Sequence, residues 1–110
     1  KVGQNDAVMF DIDNTLIFTN GKANTPIIHL LYGAIVLGYT IIIITARPAI
    51  LPSFKYTQTQ LDKYNIPYHH LYLTPAHNKG NVKRQTGFNY ILSVGDMDTD
   101  LTDSLYALKC

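Results

Sequence analysis

Two aspartates one residue apart, Asp11 and Asp13, follow directly on the apolar run Ala7-Val8-Met9-Phe10. Carboxylates this close repel one another and are costly to strip of water, so a metal ion, a reaction or both must offset the arrangement. A short hydrophobic run ending in acids predicts a buried strand with its carboxylates at the carboxyl end, where open α/β sheets bind ligands. Other chemically capable groups occupy comparable places. Thr45 closes the β-branched run Thr40 to Ile44 and is followed by Ala46-Arg47-Pro48. Lys79 opens a short polar segment, with Lys83 four residues on. Asp96, Asp98 and Asp100 follow the run Tyr90 to Val94 and Gly95. Carboxylates, a hydroxyl and an ammonium at one sheet edge suit a phosphate ester beside Mg²⁺, which prefers carboxylate, water and substrate oxygens in octahedral geometry.

The elements that must position these groups follow from periodicity and punctuation. Strands are predicted over Asp6–Phe10, Thr40–Thr45, Tyr68–Leu73 and Tyr90–Val94. Thr25-Pro26 predicts a helix start, a capping hydroxyl followed by proline, and Ile27, Leu30, Leu31, Ala34, Ile35 and Leu37 give that helix a broad apolar face. Further helices are predicted over Pro52–Tyr64, over Lys79–Gln85 with Gly87 as its stop, and over Leu101–Leu108. Ile17 to Asn24 has loop or small-hairpin chemistry. Strands alternating with helices imply an α/β fold, a doubly wound parallel sheet in three α/β/α layers.

Composition bounds the function. The chain has 110 residues, which predicts one domain over 1–110, and a formal charge of +1, which advertises neither a polyanion nor an anionic membrane. A single cysteine, Cys110, excludes a disulfide within the chain and points to a reducing compartment, hence a cytoplasmic location. No basic, apolar, small-residue pattern of a secretion signal is visible at the N-terminus. Ile27 to Ala46 is about long enough to span a bilayer, but His29, Tyr32, Tyr39 and Thr40 interrupt it. Gly38 before Thr40 predicts instead a helix, a turn and a buried strand.

Asp11-Ile12-Asp13-Asn14-Thr15, Ile44-Thr45-Ala46-Arg47, a lysine near residue 79 and Gly95-Asp96-Met97-Asp98-Thr99-Asp100 occur in this order across nearly the whole chain. In that pattern the sequence resembles the haloacid-dehalogenase-like superfamily of phosphohydrolases, and its second half looks most like the acid-phosphatase branch. The resemblance implies a Mg²⁺-dependent phosphatase working through an aspartyl-phosphate. Asp11 would be the nucleophile and Asp13 the general acid and base. Thr45, Ala46 and Lys79 would hold the phosphoryl group. Asp11, Asp96, Asp100 and the backbone carbonyl of Asp13 would hold Mg²⁺. The gaps Leu16 to Thr25 and Pro48 to His77 are too short for the cap domain that many members carry. An open site of this kind admits a large phosphorylated substrate, such as a nucleic-acid end or a phosphoprotein, or a covering by another subunit.

Plainer readings apply to several of these residues. Thr45 alone would favour a strand or cap a helix. Lys79 and Lys83 share a helix face; Lys79 is the better candidate, and Lys83 and Arg84 are expected to be solvated. The resemblance favours Asp96 and Asp100 by spacing, so Asp98 is expected to point away from the metal; Asp103 is expected on a helix surface; Arg47 is a candidate substrate contact, at a position that members of the family often use structurally. His69 and His70 lie on opposite faces of a strand and with His77 form no metal set. Cys110 has no visible role. Two other functions compete: a catalytically silent module for phosphorylated ligands or a protein partner, and a two-component receiver domain. The receiver fails on order, because its phosphoacceptor ends the third strand and here that strand ends in Leu73-Thr74-Pro75.

Overall fold

The computed structural model describes residues 1–110. Five strands form one parallel sheet: β1 (Asp6–Phe10), β2 (Thr40–Thr45), β3 (His70–Leu73), β4 (Asn89–Gly95) and β5 (Tyr106–Lys109), in the order β3-β2-β1-β4-β5. The helices are α1 (Thr25–Leu37), α2 (Leu51–Lys63) and α3 (Lys79–Thr86), with single 3₁₀ turns at Ala76–Asn78 and Asp98–Asp100. Strand order reverses between β1 and β4, and the crevice at such a switch point is where open sheets of this kind bind ligands.

Burial explains the strand sequences. Ile41 to Ile44 of β2 are completely buried on alternating faces. A central parallel strand covered by helices on both sides reads as continuous β-branched residues for this reason. Val8, Phe10, Ile41, Ile43, Leu71 and Val94 form one face, packed against Ile28, Leu31 and Ala34 of α1 and Leu61 of α2. Ala7, Met9, Ile42, Ile44 and Tyr90 form the other, against Val82 of α3 and Phe88. The expected three-layer α/β architecture is therefore present, and no cap domain interrupts it. Residues 27–46 form α1 and β2, and no helix is long and apolar enough to cross a membrane.

Element ends differ from the sequence expectation in instructive ways. Thr25 is the first residue of α1 and not its cap; Asn24 holds the cap position without a side-chain cap bond, and its amide donates to Thr15 O at 2.9 Å. Gly38, at φ 99°, ends α1 by a left-handed turn whose amides donate to Ala34 O and Ile35 O. β3 begins at His70 because His69 is engaged with β2: its amide donates to Ile41 O at 2.9 Å and its Nδ1 accepts the Ile41 amide at 2.8 Å.

The helix expected over Leu101–Leu108 is not there. Tyr106–Lys109 is a fifth strand, with Leu92 opposite Tyr106 and Gly95 opposite Lys109. Leucines at 101, 105 and 108 mimic a helical stripe, but Asp103 adopts φ 58°, which a helix does not allow, and the open edge of β4 needs a partner.

Candidate active site

The carboxyl ends of β1 and β4 are adjacent at the switch point, and each delivers an acid. Asp11 leaves β1 with its amide donating to Val94 O at 3.0 Å, and Asp96 leaves β4 directly after Gly95. Asp100 returns toward them through the Asp98–Asp100 turn, where its Oδ2 accepts the Met97 amide at 3.1 Å. This return passes so close to β4 that a Cβ on Gly95 would lie 2.5 Å from Asp100 Cγ. Only glycine admits it. One oxygen from each of Asp11, Asp96 and Asp100 lies within 4.8 Å of the others.

Lys79, the first residue of α3, reaches into this group. Its Nζ donates to Asp11 Oδ1 at 3.0 Å and to Asp100 Oδ1 at 2.5 Å, and all three side chains are buried. Burial pushes the Asp11 carboxyl up from 3.8 to about 7; the Asp100 charge adds to this and Lys79 opposes it. Three acids, Asp11 and Asp100 buried and Asp96 half-buried, thus stand about one ammonium. Hard oxygen donors carrying surplus charge fit Mg²⁺ by their chemistry, with Asp11, Asp96 and Asp100 as the carboxylate ligands.

Two buried hydroxyls at this same edge of the sheet lack partners. Thr45, at the end of β2, and Thr15, which follows Asn14 at φ 61°, are completely buried, and neither Oγ1 makes a hydrogen bond. Buried hydroxyls without partners are costly unless a ligand completes them. Ala46 is exposed at the start of the loop after β2. Thr15 was within reach of sequence reasoning, since it lies in the same motif as Asp11.

Asp13 stands outside the carboxylate group. Its side chain is 57% exposed and is gripped at both oxygens by Arg47, with Nη2 to Oδ1 at 2.9 Å and Nε to Oδ2 at 3.2 Å. Arg47 is anchored in turn by Nη1 to Thr57 Oγ1 at 3.0 Å, and that hydroxyl donates to Ser53 O at 2.8 Å within α2. This pair opens onto a cleft of about 570 Å³ between the small hairpin at residues 17–23 and α2.

Lys83 corrects the sequence expectation of a solvated side chain. It is 1% exposed, and its Nζ donates to Ser93 Oγ at 2.9 Å, Asp100 O at 2.6 Å and Thr102 O at 2.6 Å. Burial lowers its ammonium to about 8, opposed by the charges of Asp103 and Asp100. Lys83 thus ties the Asp100 loop to α3 and β4, while Lys79 alone faces the acids. Arg84 stays exposed and pairs with Asp103 at 2.8 Å. Asp98 is turned away to Lys109 at 2.9 Å. His70 lies near the rings of Tyr72 and Phe88, and His77 is exposed. Cys110, to which the sequence assigned no role, is held near the acids by its amide on Gly95 O at 2.8 Å. Partial burial raises its thiol, and the charges of Asp96, Asp100 and Asp11 add to the effect.

Among known proteins, no family model matches this chain and no curated protein matches it in sequence. Solved structures do. A chain from the structure of a Pnkp1/Rnl/Hen1 complex superposes with a TM-score of 0.79 at 20% identity over 100% of this chain. A chain from the structure of the Pnkp1/Rnl/Hen1 RNA repair complex gives 0.77 at 20% identity over 97%. This chain spans 47% and 42% of the lengths of those two chains. At such identity the likeness establishes the fold.

Proposed function

We propose that this chain is a Mg²⁺-dependent phosphomonoester hydrolase, one domain over residues 1–110, working through an aspartyl-phosphate on Asp11. The observation that carries this reading is the buried constellation in which Lys79 bridges Asp11 and Asp100 while Asp96 completes the acid group. A structural ion pair needs one acid. Three acids about one lysine call for a second cation.

In the first step an oxygen of Asp11 bonds to phosphorus as the bond to the leaving oxygen breaks, and Asp13 gives that oxygen its proton. In the second, Asp13 takes a proton from the water that attacks the phosphorus, and the Asp11 carboxylate departs. Lys79 offsets charge on the nucleophile and the phosphoryl oxygens as a compact point charge. The unpartnered hydroxyls of Thr45 and Thr15 donate to phosphoryl oxygens, with the backbone after Thr45 at Ala46 close by. Mg²⁺, held by Asp11, Asp96, Asp100 and the Asp13 carbonyl, would neutralise charge on the transferring group. Phosphoryl transfer asks little more than positioning and charge stabilisation, which this inventory supplies.

No cap domain stands over this sheet edge, which leaves room for a macromolecular phosphate to approach. That similar folds occur in chains of an RNA repair complex accords with a nucleic-acid end as substrate. The test is hydrolysis of a chromogenic phosphate monoester with Mg²⁺, with EDTA, and by Asp11→Asn. Turnover that needs metal and vanishes in the variant is expected. Activity surviving Asp11→Asn would remove Asp11 as nucleophile. Absence of turnover on any phosphoester would favour a silent module that binds phosphorylated ligands or a protein partner.

A further inference from the structure

The side chain expected to serve the leaving oxygen is occupied elsewhere. Both oxygens of Asp13 are engaged by Arg47, which holds the carboxylate toward the guanidinium and spends part of its hydrogen-bonding capacity there. Arg47 also forms a wall of the cleft beside the site, with its guanidinium 5.9 Å from the centre of the Tyr56 ring. The same cleft is lined by Phe18 of the hairpin, by Gln60 and Lys63 of α2 and by Tyr64, which caps that helix. Tyr56 is 66% exposed and Phe18 40%, so both rings present a face to the cleft's solvent side. Gln60 Oε1 is buried without a hydrogen-bond partner.

These features fit one class of occupant. A guanidinium that holds a carboxylate at both oxygens holds a phosphate the same way, so a second anion competes directly with Asp13 for Arg47. Exposed aromatic rings beside cations are the surfaces on which the bases of single-stranded nucleic acid stack. The unpartnered Gln60 oxygen offers an acceptor to a base or sugar donor. A cleft of about 570 Å³ is in the size range of small-ligand sites.

We propose that Arg47 is a specificity and positioning residue that binds the phosphodiester next to a terminal phosphate. In doing so it releases Asp13, so that the enzyme selects a phosphorylated nucleic-acid end over a lone monoester. This deepens the phosphatase reading and rests on it. The terminal phosphate lies with Asp11 and Lys79, the adjoining phosphodiester lies on Arg47 with Lys63 beyond it, and the adjoining base lies against Tyr56 or Phe18. The chemistry is common to RNA and DNA.

The test compares wild type, Arg47→Gln and Arg47→Lys, with Mg²⁺, on glycerol 2-phosphate and on a dinucleotide carrying a terminal phosphate in ribose and deoxyribose forms. Wild type is expected to favour the dinucleotide in kcat/KM by about tenfold or more, the scale of one charge-assisted contact. Arg47→Gln should erase that ratio, by raising KM for the dinucleotide while kcat on glycerol 2-phosphate, with Asp13 no longer held, equals or exceeds that of wild type, and Arg47→Lys should restore part of it. The faster sugar form names the natural source. A proportional loss on both substrates would reduce Arg47 to a structural residue and overturn the proposal. So would a phosphopeptide with a single anion turned over as well as the dinucleotide. Tyr56→Ala, at an exposed position that folding does not need, should weaken dinucleotide binding to Asp11→Asn protein severalfold in an NMR titration; unchanged binding would also count against it. Turnover of glycerol 2-phosphate without preference defeats this inference alone, whereas no turnover of any substrate defeats the phosphatase reading.

Discussion

Replacing Gly95 by alanine adds one methyl group at the most crowded point of the site, and the structure sets its cost. The added Cβ would lie 2.5 Å from Asp100 Cγ and clash with the Asp100 Cβ as well. Cβ is tied to the backbone, so no rotamer change relieves the clash and the Asp98–Asp100 turn must move. Overpacking alone costs about 1–3 kcal/mol. Moving Asp100 also takes one of two carboxylates from the buried Lys79 ammonium and an acceptor from Lys83. Breaking a buried pair costs about 3–5 kcal/mol. We expect Gly95→Ala to lose about 3–5 kcal/mol, a large share of the roughly 5–15 kcal/mol that holds a domain together. Gly33→Ala is the matched control. Gly33 is exposed within α1, and a Cβ there meets nothing within 4 Å. The same methyl group should stabilise by about 0.5–1 kcal/mol through helix propensity. Urea unfolding followed by circular dichroism measures both. Equal midpoints for Gly95→Ala and wild type would refute the reasoning, because the return of Asp100 beneath β4 would then not depend on the missing side chain.

Three other outcomes are expected. Lys83→Met keeps the buried stem but leaves Asp100 O without its donor, while Ser93 Oγ and Thr102 O fall back on Ser104 Oγ, and should destabilise by about 1–3 kcal/mol in the same assay, the cost of one buried orphan. In metal-free protein the Asp11 carboxyl titrates near 7 when folded against 3.8 as its ordinary value. The folded state therefore keeps a proton that the unfolded chain gives up, and stability should fall as pH rises from about 4 to 7. Asp11→Asn should remove that slope, and Mg²⁺ should oppose it near pH 7; identical pH profiles for wild type and variant would count against the buried, raised carboxyl. Asp13→Asn should slow turnover of the dinucleotide carrying a terminal phosphate by about 10²–10⁴-fold, the usual worth of general acid–base catalysis, and wild-type turnover would deny Asp13 that role.

Arrangements that depend on neighbours along the chain were legible in the sequence. The runs Ala7–Phe10 and Thr40–Thr45 are strands because β-branched and apolar residues buried on both faces can be little else at that length. The place of Asp11, Thr45 and Asp96 at one sheet edge follows from each acid or hydroxyl closing such a run, since parallel strands all end on the same side. The preference for Lys79 over Lys83 rests on the resemblance, in which the lysine opens a helix, and here the Lys79 ammonium meets Asp11 and Asp100.

Tertiary structure decided the rest. Lys83 has the same local surroundings as any surface lysine four residues along a polar helix. It is buried only because Asp100 and Thr102, far along the chain, direct two carbonyls at it. Residues 101–108 satisfy a helical apolar spacing, yet the unpaired edge of β4 and the left-handed Asp103 turn Tyr106–Lys109 into a strand, an outcome set by a partner and not by propensity. The hold of Arg47 on Asp13 joins residues 34 positions apart and depends on Thr57 of α2 to anchor the guanidinium. Local sequence specifies which groups stand at the end of each element. Which of them meet, and which are kept apart, is decided by how the strands are ordered and how the loops between them close.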